Sequence, residues 1–504
     1  MTRVVSVNPE TGESLELALE ETSATEVLQL TERAASIADD YAIRPLTWRA
    51  QLLRAMADEL EADADALVET AKRETALTQV RLEGELRRTA FQFRFFSDVV
   101  LDGSFLQASI DHAADSPMGP LPDLRRLRVP LGPVAVFGSS NFPFAFSVPG
   151  GDTASALAAG CPVVIKAHPA HPATSLATFD ALRRAARSNE APEGLLGLVF
   201  GVDAGVALVD APAIAAVGFT GSVPAGQFLW RRANDRATPI PFFGELGSAN
   251  PLVVTPAGAA DQAASIGAGI AASMTLGVGQ FCTKPGLLFV PSNADGDQLV
   301  ATLVGELRTL SSMTMLSSTI ASHFRSGVSE FDGVPGVRHV VTSDDGTGAH
   351  VGAHLFEVSD AVFRDPSAHR LHDECFGPLA LVVRYGNSAA LATALHAAQP
   401  SLTFSVFRGA TDPDLTWLLE FAKSRAGRVI VDGYPTGVGV SWSMEHGGPW
   451  PATTSPSTTS VGAASIERWL RPVTYQNVPD EYLPEALRES NPLGIPQRVD
   501  GVSR

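Results

Sequence analysis

Cys282 is the residue whose local sequence best suits a nucleophile. It lies in GQFCTKPG (279–286), where glycine and proline on both sides predict a turn at the end of an apolar helix. A cysteine in such a turn can attack an electrophilic carbon as its thiolate. The alternative is a buried structural cysteine, the commoner situation for an isolated thiol, and Cys161 and Cys375 fit that interpretation better.

Two other residues carry groups suited to chemistry at a carbonyl. Glu245 lies in PIPFFGELGSANP (239–251), where apolar neighbours would raise the pKa of the carboxyl group and favour a general base that activates water. Asn141 follows a predicted strand in FGSSNFPFAF (137–146), and its amide could donate to an oxyanion. The alternatives are a capping or ion-paired glutamate and an asparagine that only forms a turn.

A glycine-containing segment marks a possible phosphate site. GFTGSVPAGQ (218–227) places Gly218, Gly221 and Gly226 at a predicted strand-to-helix junction, where backbone N–H groups could face a pyrophosphate. The spacing does not match GxGxxG, and glycines at such junctions are commonly turn formers. The segment alone therefore leaves both interpretations open.

The elements that would position these residues follow from hydrophobic periodicity. Residues 21–78 predict amphipathic helices, two of them separated by Pro45, and 115–133 predict an extended connector or edge hairpin. Short apolar runs then alternate with Ala-rich helical stretches, which is typical of βαβ units in a parallel sheet. These runs cover 134–138, 162–167, 196–201 and 215–221, and a second α/β region follows over 250–433. Beyond about Glu467 the chain predicts a surface arm.

The bulk composition excludes several classes of partner. The chain has 504 residues, a formal net charge of −18 and three cysteines. The negative charge argues against nucleic acid and anionic membranes as partners. Three cysteines at long spacings predict neither a disulfide framework nor a zinc site, so no metal is expected. The amino terminus shows no signal-peptide pattern and no apolar run is long enough for a membrane helix, which predicts a cytoplasmic protein.

The order of the motifs is more specific than any one of them. SSNFPF, PVVIKAHPAHP, GFTGSVPAG, ELGSANP, GQFCTKPG and DECFGP resemble the successive signature motifs of the aldehyde dehydrogenase superfamily, from about residue 5 to past 460. KAHPAHPATS, GQFCTKPG, HGGPWPAT and NPLGIPQRVDG are similar to one branch of it. That branch contains α-ketoglutaric semialdehyde (2,5-dioxovalerate) dehydrogenases and the NADP-linked fatty aldehyde dehydrogenase of luminous bacteria.

The resemblance implies a role for each catalytic candidate. Cys282 would attack the aldehyde carbonyl, and the side chain of Asn141 with the Cys282 N–H would hold the alkoxide. Loss of hydride to a nicotinamide would leave a thioester, and Glu245 would activate the water that hydrolyses it. His446, in the HGGPWP segment, would lie near the active site. A structural histidine bonded to a loop backbone is the alternative for His446.

The resemblance also implies a cofactor site. Lys166 would reach the adenosine ribose, and Gly221 with Ser222 would lie at the helix terminus beneath the pyrophosphate. Glu374 of DECFGP would hold the nicotinamide ribose, with Phe376 packed beside it. A solvated glutamate next to an aspartate is the alternative for Glu374.

One position departs from the pattern of relatives that prefer NAD. They commonly carry a glutamate three residues after the lysine, where it binds the ribose hydroxyls and repels a 2′-phosphate. Here Pro169 stands at that position, preceded by His168. The missing carboxylate predicts that NADP is accepted and preferred, with NAD still possible. No arginine that would clamp the phosphate is present in 201–208.

The implied architecture is an α/β protein with a Rossmann-like NAD(P)-binding domain, an α/β catalytic domain and a small oligomerisation extension. Their expected bounds are 1–111 with 131–246, then 247–445, and finally 112–130 with 466–504. A homodimer or homotetramer acting on a small-molecule aldehyde is implied.

The leading substrate is α-ketoglutaric semialdehyde, oxidised to 2-oxoglutarate, and a fatty or other aliphatic aldehyde is the nearest alternative. A CoA-acylating enzyme is disfavoured, because such relatives generally lack the glutamate that Glu245 provides. A cysteine-dependent esterase and a non-catalytic structural member are alternatives of other classes. The cofactor positions argue against the esterase, and the joint presence of Cys282, Glu245 and Asn141 argues against the structural member.

Overall fold

The amino-terminal part is a hairpin followed by helices. A computed structural model describes residues 2–504. Pro45 directly precedes the third helix, which confirms the predicted break between helices. The helices after it bury one apolar face, as their periodicity predicted. The elements are β1 (Arg3–Val7), β2 (Ser14–Glu20), α1 (Ala24–Ser36), α2 (Ala38–Ala42), α3 (Leu46–Ala62), α4 (Ala64–Thr75) and α5 (Gln79–Asp102).

Four short strands form the connector that follows α5. Its predicted extended character is confirmed, and the last strand pairs with the first one. They are β3 (Ala108–Asp111), β4 (Ala114–Ser116), β5 (Gly119–Leu121) and β6 (Leu124–Pro130).

The first large sheet is parallel throughout and is built from βα units. Its strands are short and almost wholly apolar, because helices cover both faces. The spatial order is β11-β10-β7-β8-β9, so the strand order reverses between β7 and β10. Ligands bind at such a reversal, outside the carboxyl ends of the strands. The elements are β7 (Val134–Phe137), α6 (Gly151–Ala159), β8 (Val163–Lys166), α7 (Pro172–Ser188), β9 (Leu196–Val199), α8 (Val202–Asp210), β10 (Ala216–Thr220), α9 (Val223–Asp235) and β11 (Phe242–Glu245).

The second large sheet has seven strands in the order β15-β17-β18-β13-β12-β19-β20, with only β15 antiparallel to its neighbour. Its two faces are covered by separate apolar clusters. The elements of this region are β12 (Pro251–Val254), α10 (Pro256–Thr275), β13 (Leu287–Pro291), α11 (Ala294–Arg308), β14 (Met313–Thr314), α12 (Ser318–Asp332), β15 (Arg338–Thr342), β16 (His350–Val351), β17 (His354–Ser359), α13 (Asp360–Phe363), β18 (Leu379–Tyr385), α14 (Ser388–Ala397), β19 (Ser401–Phe407), α15 (Leu415–Ala422) and β20 (Ala426–Val431).

The carboxyl-terminal arm completes a third sheet with the connector. β21 (Leu470–Gln476), β22 (Gln497–Val499) and β23 (Val502–Ser503) give the order β21-β6-β3-β22-β23. The arm thus returns to strands that precede it by more than 300 residues. The use of this sheet for oligomerisation stays a prediction, as do the domain bounds. Within residues 2–504, no helix is long and apolar enough to cross a membrane.

Short 3₁₀ helices fill several connections. They follow α5, α10 and α13, and lie in the arm and the segment that leads to it. Their bounds are Ser104–Leu106, Leu276–Gly279, Pro366–His372, Ala463–Trp469, Asp480–Tyr482 and Glu485–Leu487.

Candidate active site

A large cleft lies between the two parallel sheets. Its volume is about 1670 Å³, and it is lined from the first sheet by residues at the carboxyl ends of β7, β8, β10 and β11. This is the location that the strand reversal between β7 and β10 predicts. Nine of the ten candidate site residues line the cleft: Asn141, Lys166, His168, Gly221, Ser222, Glu245, Cys282, Glu374 and Phe376. His446 joins them through direct contacts with Cys282 and Glu245.

The loop that carries Cys282 is held in an unusual backbone conformation. The α10 helix ends at Thr275, which confirms the predicted helix end, and residues 277–279 all have positive φ. Val278, with φ +61°, is β-branched and therefore strained there. Gly279 has φ +65°, and a Cβ at this residue would lie 2.4 Å from the Gly377 carbonyl carbon. The loop thus packs backbone to backbone against the segment that follows Phe376.

Two side chains that the sequence analysis did not select fix this loop. Asn250, with φ +50°, donates from Nδ2 to the carbonyl oxygens of Cys282 at 2.7 Å and Lys284 at 3.0 Å. The buried ammonium group of Lys284 donates to the carbonyls of Cys375 at 2.9 Å and Leu379 at 2.6 Å. A buried charge needs such partners. Asn250 and Lys284 stand in the motifs ELGSANP and GQFCTKPG, which was the available signal for them.

Cys282, Glu245 and His446 form one contact group. Cys282 Sγ lies 3.4 Å from Nε2 of His446. The same nitrogen lies 3.1 Å from Oε1 of Glu245, and both side chains are almost fully buried. The structure therefore supports the interpretation that His446 lies in the active site, beside the nucleophile.

The carboxylate of Glu245 is positioned from several sides. It ends β11, and its backbone forms a bridge with Thr453 in the segment that follows His446. Ser460 donates from Oγ to Oε2 of Glu245 at 2.6 Å. Burial by itself would raise the pKa of Glu245, but the neighbouring His446 and Ser460 outweigh it and lower the pKa. The expected rise in the pKa of Glu245 is therefore wrong in sign, because the sequence did not reveal these two partners.

The thiol of Cys282 is neutral at rest. Burial and the neighbouring Glu245 carboxylate raise the pKa of this thiol well above its ordinary value. The carboxyl end of α10 offers no compensating positive dipole, since helix carboxyl termini carry partial negative charge. A nearby base must take the proton before the sulfur can attack, and Nε2 of His446 is in contact with it.

Asn141 lies on the same side of the cleft. Its Nδ2 donates to the Gln280 carbonyl oxygen at 2.9 Å, two residues before Cys282. An amide nitrogen carries two hydrogens, so one of them is free for an oxyanion. The bond to Gln280 also ties this amide to the loop of the nucleophile.

The adenosine end of the predicted cofactor site surrounds Lys166 and His168. Burial lowers the pKa of Lys166 to about 8, and Glu21 opposes this shift. His168 accepts at Nδ1 from the Ala170 N–H at 3.1 Å, which leaves Nε2 as a donor toward a ligand. Burial, aided by His171 and Lys166, lowers the pKa of His168 well below its usual range. His168 is therefore neutral and can offer a hydrogen bond but no charge.

At the start of α9, the structure leaves the Ser222 hydroxyl free for a phosphate but not the Gly221 N–H. Ser222 is the residue directly before the helix, and its hydroxyl makes no capping hydrogen bond. Gly221 lines the cleft, but its N–H donates to the Glu245 carbonyl oxygen at 3.1 Å. Pairing with β11 therefore uses the Gly221 N–H, which is not free for a pyrophosphate, and the position of Gly221 and Ser222 beneath the pyrophosphate stays a prediction.

Glu374 lies where a small residue makes room for it. A Cβ on Gly247 of the Glu-Leu-Gly motif would come within 2.7 Å of Oε2 of Glu374. Burial raises the pKa of Glu374 to about 7, while Lys284 opposes the shift. The solvated-glutamate alternative is wrong for this residue. With Phe376, also on the wall of the cleft, it provides an acceptor beside an aromatic face.

Comparisons with known proteins agree with this geometry. The profile of the aldehyde dehydrogenase family matches residues 2–449. The chain is 47% identical over 480 residues to α-ketoglutaric semialdehyde dehydrogenase 2 of Azospirillum brasilense, and the alignment covers 93% of this chain and 91% of that protein. It is 39% identical over 458 residues to α-ketoglutaric semialdehyde dehydrogenase of Acinetobacter baylyi, covering 90% and 87%.

Solved structures show the same fold at low identity. An NADP-dependent glyceraldehyde-3-phosphate dehydrogenase from Bacillus halodurans, complexed with NADP, aligns with TM-score 0.79 and 22% identity over 94% of this chain and 95% of that one. A 3,6-anhydro-L-galactose dehydrogenase aligns with TM-score 0.80 and 19% identity over 94% and 96%. The solved structures show the fold, and the sequence matches show the family: the chain belongs to the aldehyde dehydrogenase family.

Proposed function

We propose that this protein oxidises an aldehyde to a carboxylic acid through a thioester on Cys282, with NADP as the hydride acceptor and α-ketoglutaric semialdehyde as the substrate. The observation that carries the proposal is the contact group of Cys282, His446 and Glu245 on the cleft. The names of two relatives that align with most of the chain support the substrate.

The chain's own groups divide the chemistry among them. His446 accepts the proton of the Cys282 thiol, and the sulfur attacks the aldehyde carbon. The free amide hydrogen of Asn141 stabilises the resulting alkoxide. Bound NADP supplies the hydride acceptor for the oxidation. Glu245, ionised because its pKa is lowered, then takes a proton from the water that hydrolyses the thioester.

The cleft provides complementary groups for a dinucleotide. Lys166 and His168 offer hydrogen-bond donors at one end of the cleft. Ser222 and the amino terminus of α9 provide a phosphate site, and Glu374 provides a hydrogen-bond acceptor at the other end. The missing side chain of Gly247 leaves room for the Glu374 carboxylate on the wall of the cleft.

Proton loss from Lys166 gives a test of NADP binding. Because its pKa is about 8, the ammonium charge is present at pH 7 and largely lost at pH 9. If the 2′-phosphate is bound by that charge, NADP affinity falls by about tenfold between pH 7 and 9. Titration of ligand-induced fluorescence changes measures the Kd of NADP and of NAD at each pH.

Lys166→Arg is the matched control for this titration. Its guanidinium keeps its charge over the range, so NADP affinity should stay flat with pH. Lys166→Ala should bind NADP weakly at both pH values. A preference of wild type for NAD, or an NADP affinity independent of pH, would contradict the proposed phosphate contact.

A second cation is available for the remote carboxylate of the substrate. Arg88 on α5 has its guanidinium carbon 5.3 Å from the centre of the Phe146 ring, which itself lies 6.2 Å from the His446 ring. Among residues 2–504, it is the arginine whose two terminal nitrogens are both buried without a hydrogen-bond partner. Nε of Arg88 donates to the Val438 carbonyl oxygen at 3.4 Å, so only the terminal nitrogens lack partners. Buried donors without partners are costly, and a carboxylate would satisfy these two with charge-assisted bonds.

Arg88 therefore separates the two candidate substrates. Initial rates of NADPH formation should favour α-ketoglutaric semialdehyde over hexanal and decanal. Arg88→Met should lower kcat/KM for the semialdehyde by about 10- to 100-fold, because it removes a charged hydrogen bond. The same variant should change kcat/KM for hexanal by less than about threefold, since hexanal carries no carboxylate.

Arg87→Met is the matched control, because Arg87 is the exposed neighbour on the same helix. It should leave both substrates unaffected. A preference for decanal in wild type would keep the mechanism and move the substrate to the fatty aldehydes. Equal losses for both substrates in Arg88→Met would show that Arg88 has no role in selecting a carboxylate.

A further inference from the structure

Three potential metal-ligand atoms meet at the site of the nucleophile. Cys282, His446 and Glu245 each offer one, and these atoms all lie within 4.8 Å of one another. Nε2 of His446 is 3.4 Å from Sγ of Cys282 and 3.1 Å from Oε1 of Glu245. Sulfur, imidazole nitrogen and carboxylate oxygen are the donors that Zn²⁺ takes in proteins.

The spacing of these atoms suits a tetrahedral ion. Bonds of about 2.3 Å to sulfur and 2.0–2.2 Å to nitrogen and oxygen place adjacent tetrahedral ligands roughly 3.3–3.6 Å apart. The two separations that involve Nε2 of His446 are within a few tenths of an ångström of that range. The separation between the Cys282 and Glu245 ligand atoms is within 4.8 Å, so an ion would draw these two side chains toward each other. Three protein ligands leave the fourth position open for water.

We propose that Zn²⁺ binds reversibly to Cys282, His446 and Glu245 and inhibits the enzyme by occupying its nucleophile. The inhibition, though not the binding, rests on the proposed function. The Cys282 thiol loses its proton to solvent, and the thiolate pair that would attack the aldehyde is donated to zinc instead. No group is oxidised or reduced.

The local charges favour the ion but set limits on its affinity. Zn²⁺ with one thiolate, one carboxylate and a neutral imidazole sums to zero, which reduces the cost of burial. Ser460 holds the carboxylate through its bond to Oε2. Nδ1 of His446, however, is buried without a hydrogen-bond partner in residues 2–504, whereas zinc-binding histidines usually have one. We therefore expect exchangeable rather than permanent zinc.

No local spacing could have predicted this site. Zinc motifs in sequences bring their ligands from neighbouring positions. Here Cys282 and His446 are 164 residues apart, and Glu245 comes from the other sheet. The spacing of the cysteines predicts no metal, because it carries no information about a single thiol with distant partners.

Direct metal binding is the first test. Tag-free protein in a phosphine reductant is titrated with Cd²⁺, following the ultraviolet thiolate-to-metal charge-transfer band, and with Zn²⁺ by calorimetry. One ion per chain is expected, and Cys282→Ala should abolish the band. His446→Asn and Glu245→Gln should weaken binding by more than the roughly 10- to 100-fold that loss of an outer hydrogen-bond partner costs.

Matched variants show whether the effect is local. Cys161→Ala removes another buried thiol, and His369→Asn an exposed imidazole; both should bind as wild type does. A band that survives in Cys282→Ala, or affinity unchanged in both His446→Asn and Glu245→Gln, would overturn the site.

Measurement of enzyme activity in the presence of Zn²⁺ tests the metal site and the proposed function separately. Zn²⁺ should inhibit NADPH formation in competition with the aldehyde, and a chelator should restore the full rate. An enzyme that oxidises aldehydes but binds no Cd²⁺ or Zn²⁺ would refute the metal site alone. A protein that binds the ion through these residues but oxidises no aldehyde would refute the proposed function and leave the metal site standing.

Discussion

Cys282→Ala should lose aldehyde oxidation by at least about 10⁴-fold in kcat, because removal of an enzyme's nucleophile leaves only binding and oxyanion contributions. The Cys282 side chain contacts His446, and among residues 2–504 its sulfur forms no hydrogen bond to the backbone, so the variant should fold. Measurement of NADPH formation with α-ketoglutaric semialdehyde, alongside circular dichroism and the NADP Kd, separates chemistry from folding.

Cys161→Ala is the control for this loss. Cys161 is fully buried beneath the backbone of Trp469, away from the cleft, and should keep wild-type turnover. Ester hydrolysis without cofactor should also disappear in Cys282→Ala, since it would use the same thiol. Aldehyde oxidation that persists at more than a few per cent of the wild-type rate would contradict the role of Cys282.

Glu245→Gln should separate the two halves of the reaction. The amide cannot take a proton from water, so thioester hydrolysis should slow by about 10²- to 10⁴-fold. Formation of the thioester does not require that carboxylate as a base. Rapid mixing should therefore show a burst of about one NADPH per site, followed by a slow steady rate.

The double variant Glu245→Gln with Cys282→Ala should show no burst, which ties the signal to the thioester. Mass spectrometry of the quenched burst should detect the acyl group on the peptide containing Cys282. Continued turnover of Glu245→Gln at the wild-type rate would mean that another base, with His446 the nearest candidate, activates the water.

Most of the fold could be predicted because its elements depend on local patterns. The run VAVF became β7 and PVVIK became β8, since short apolar segments between helices are typical of buried parallel strands. The pairing of β22 with β3 could not be predicted, because two three- or four-residue strands carry no signal for a partner almost 400 residues away. The positive φ of Val278 was likewise hidden, since β-branched residues rarely adopt it and no local pattern signals it.

The identity of the site residues could be predicted from the sequence, but the direction of their pKa shifts could not. Motif order was enough to select Cys282 and Glu245. The signs of their pKa shifts depend on contacts with each other and with His446 and Ser460, which only the folded chain brings together. Arg88 was missed for a related reason: its sequence neighbours are those of an ordinary amphipathic helix, and the lack of partners for its two terminal nitrogens is visible only in three dimensions.

Because Cys282 and His446 are 164 residues apart, the ribosome synthesises the nucleophile well before its histidine neighbour. At about 5–20 residues per second, the ribosome adds the histidine roughly 8–33 s after the cysteine. In that interval the site cannot close around Cys282, so the thiol lacks the burial that raises its pKa in the finished enzyme and a larger fraction is thiolate. The nascent chain should therefore be more easily oxidised or alkylated at Cys282 than the mature protein, and slow translation of this stretch should lengthen that exposure.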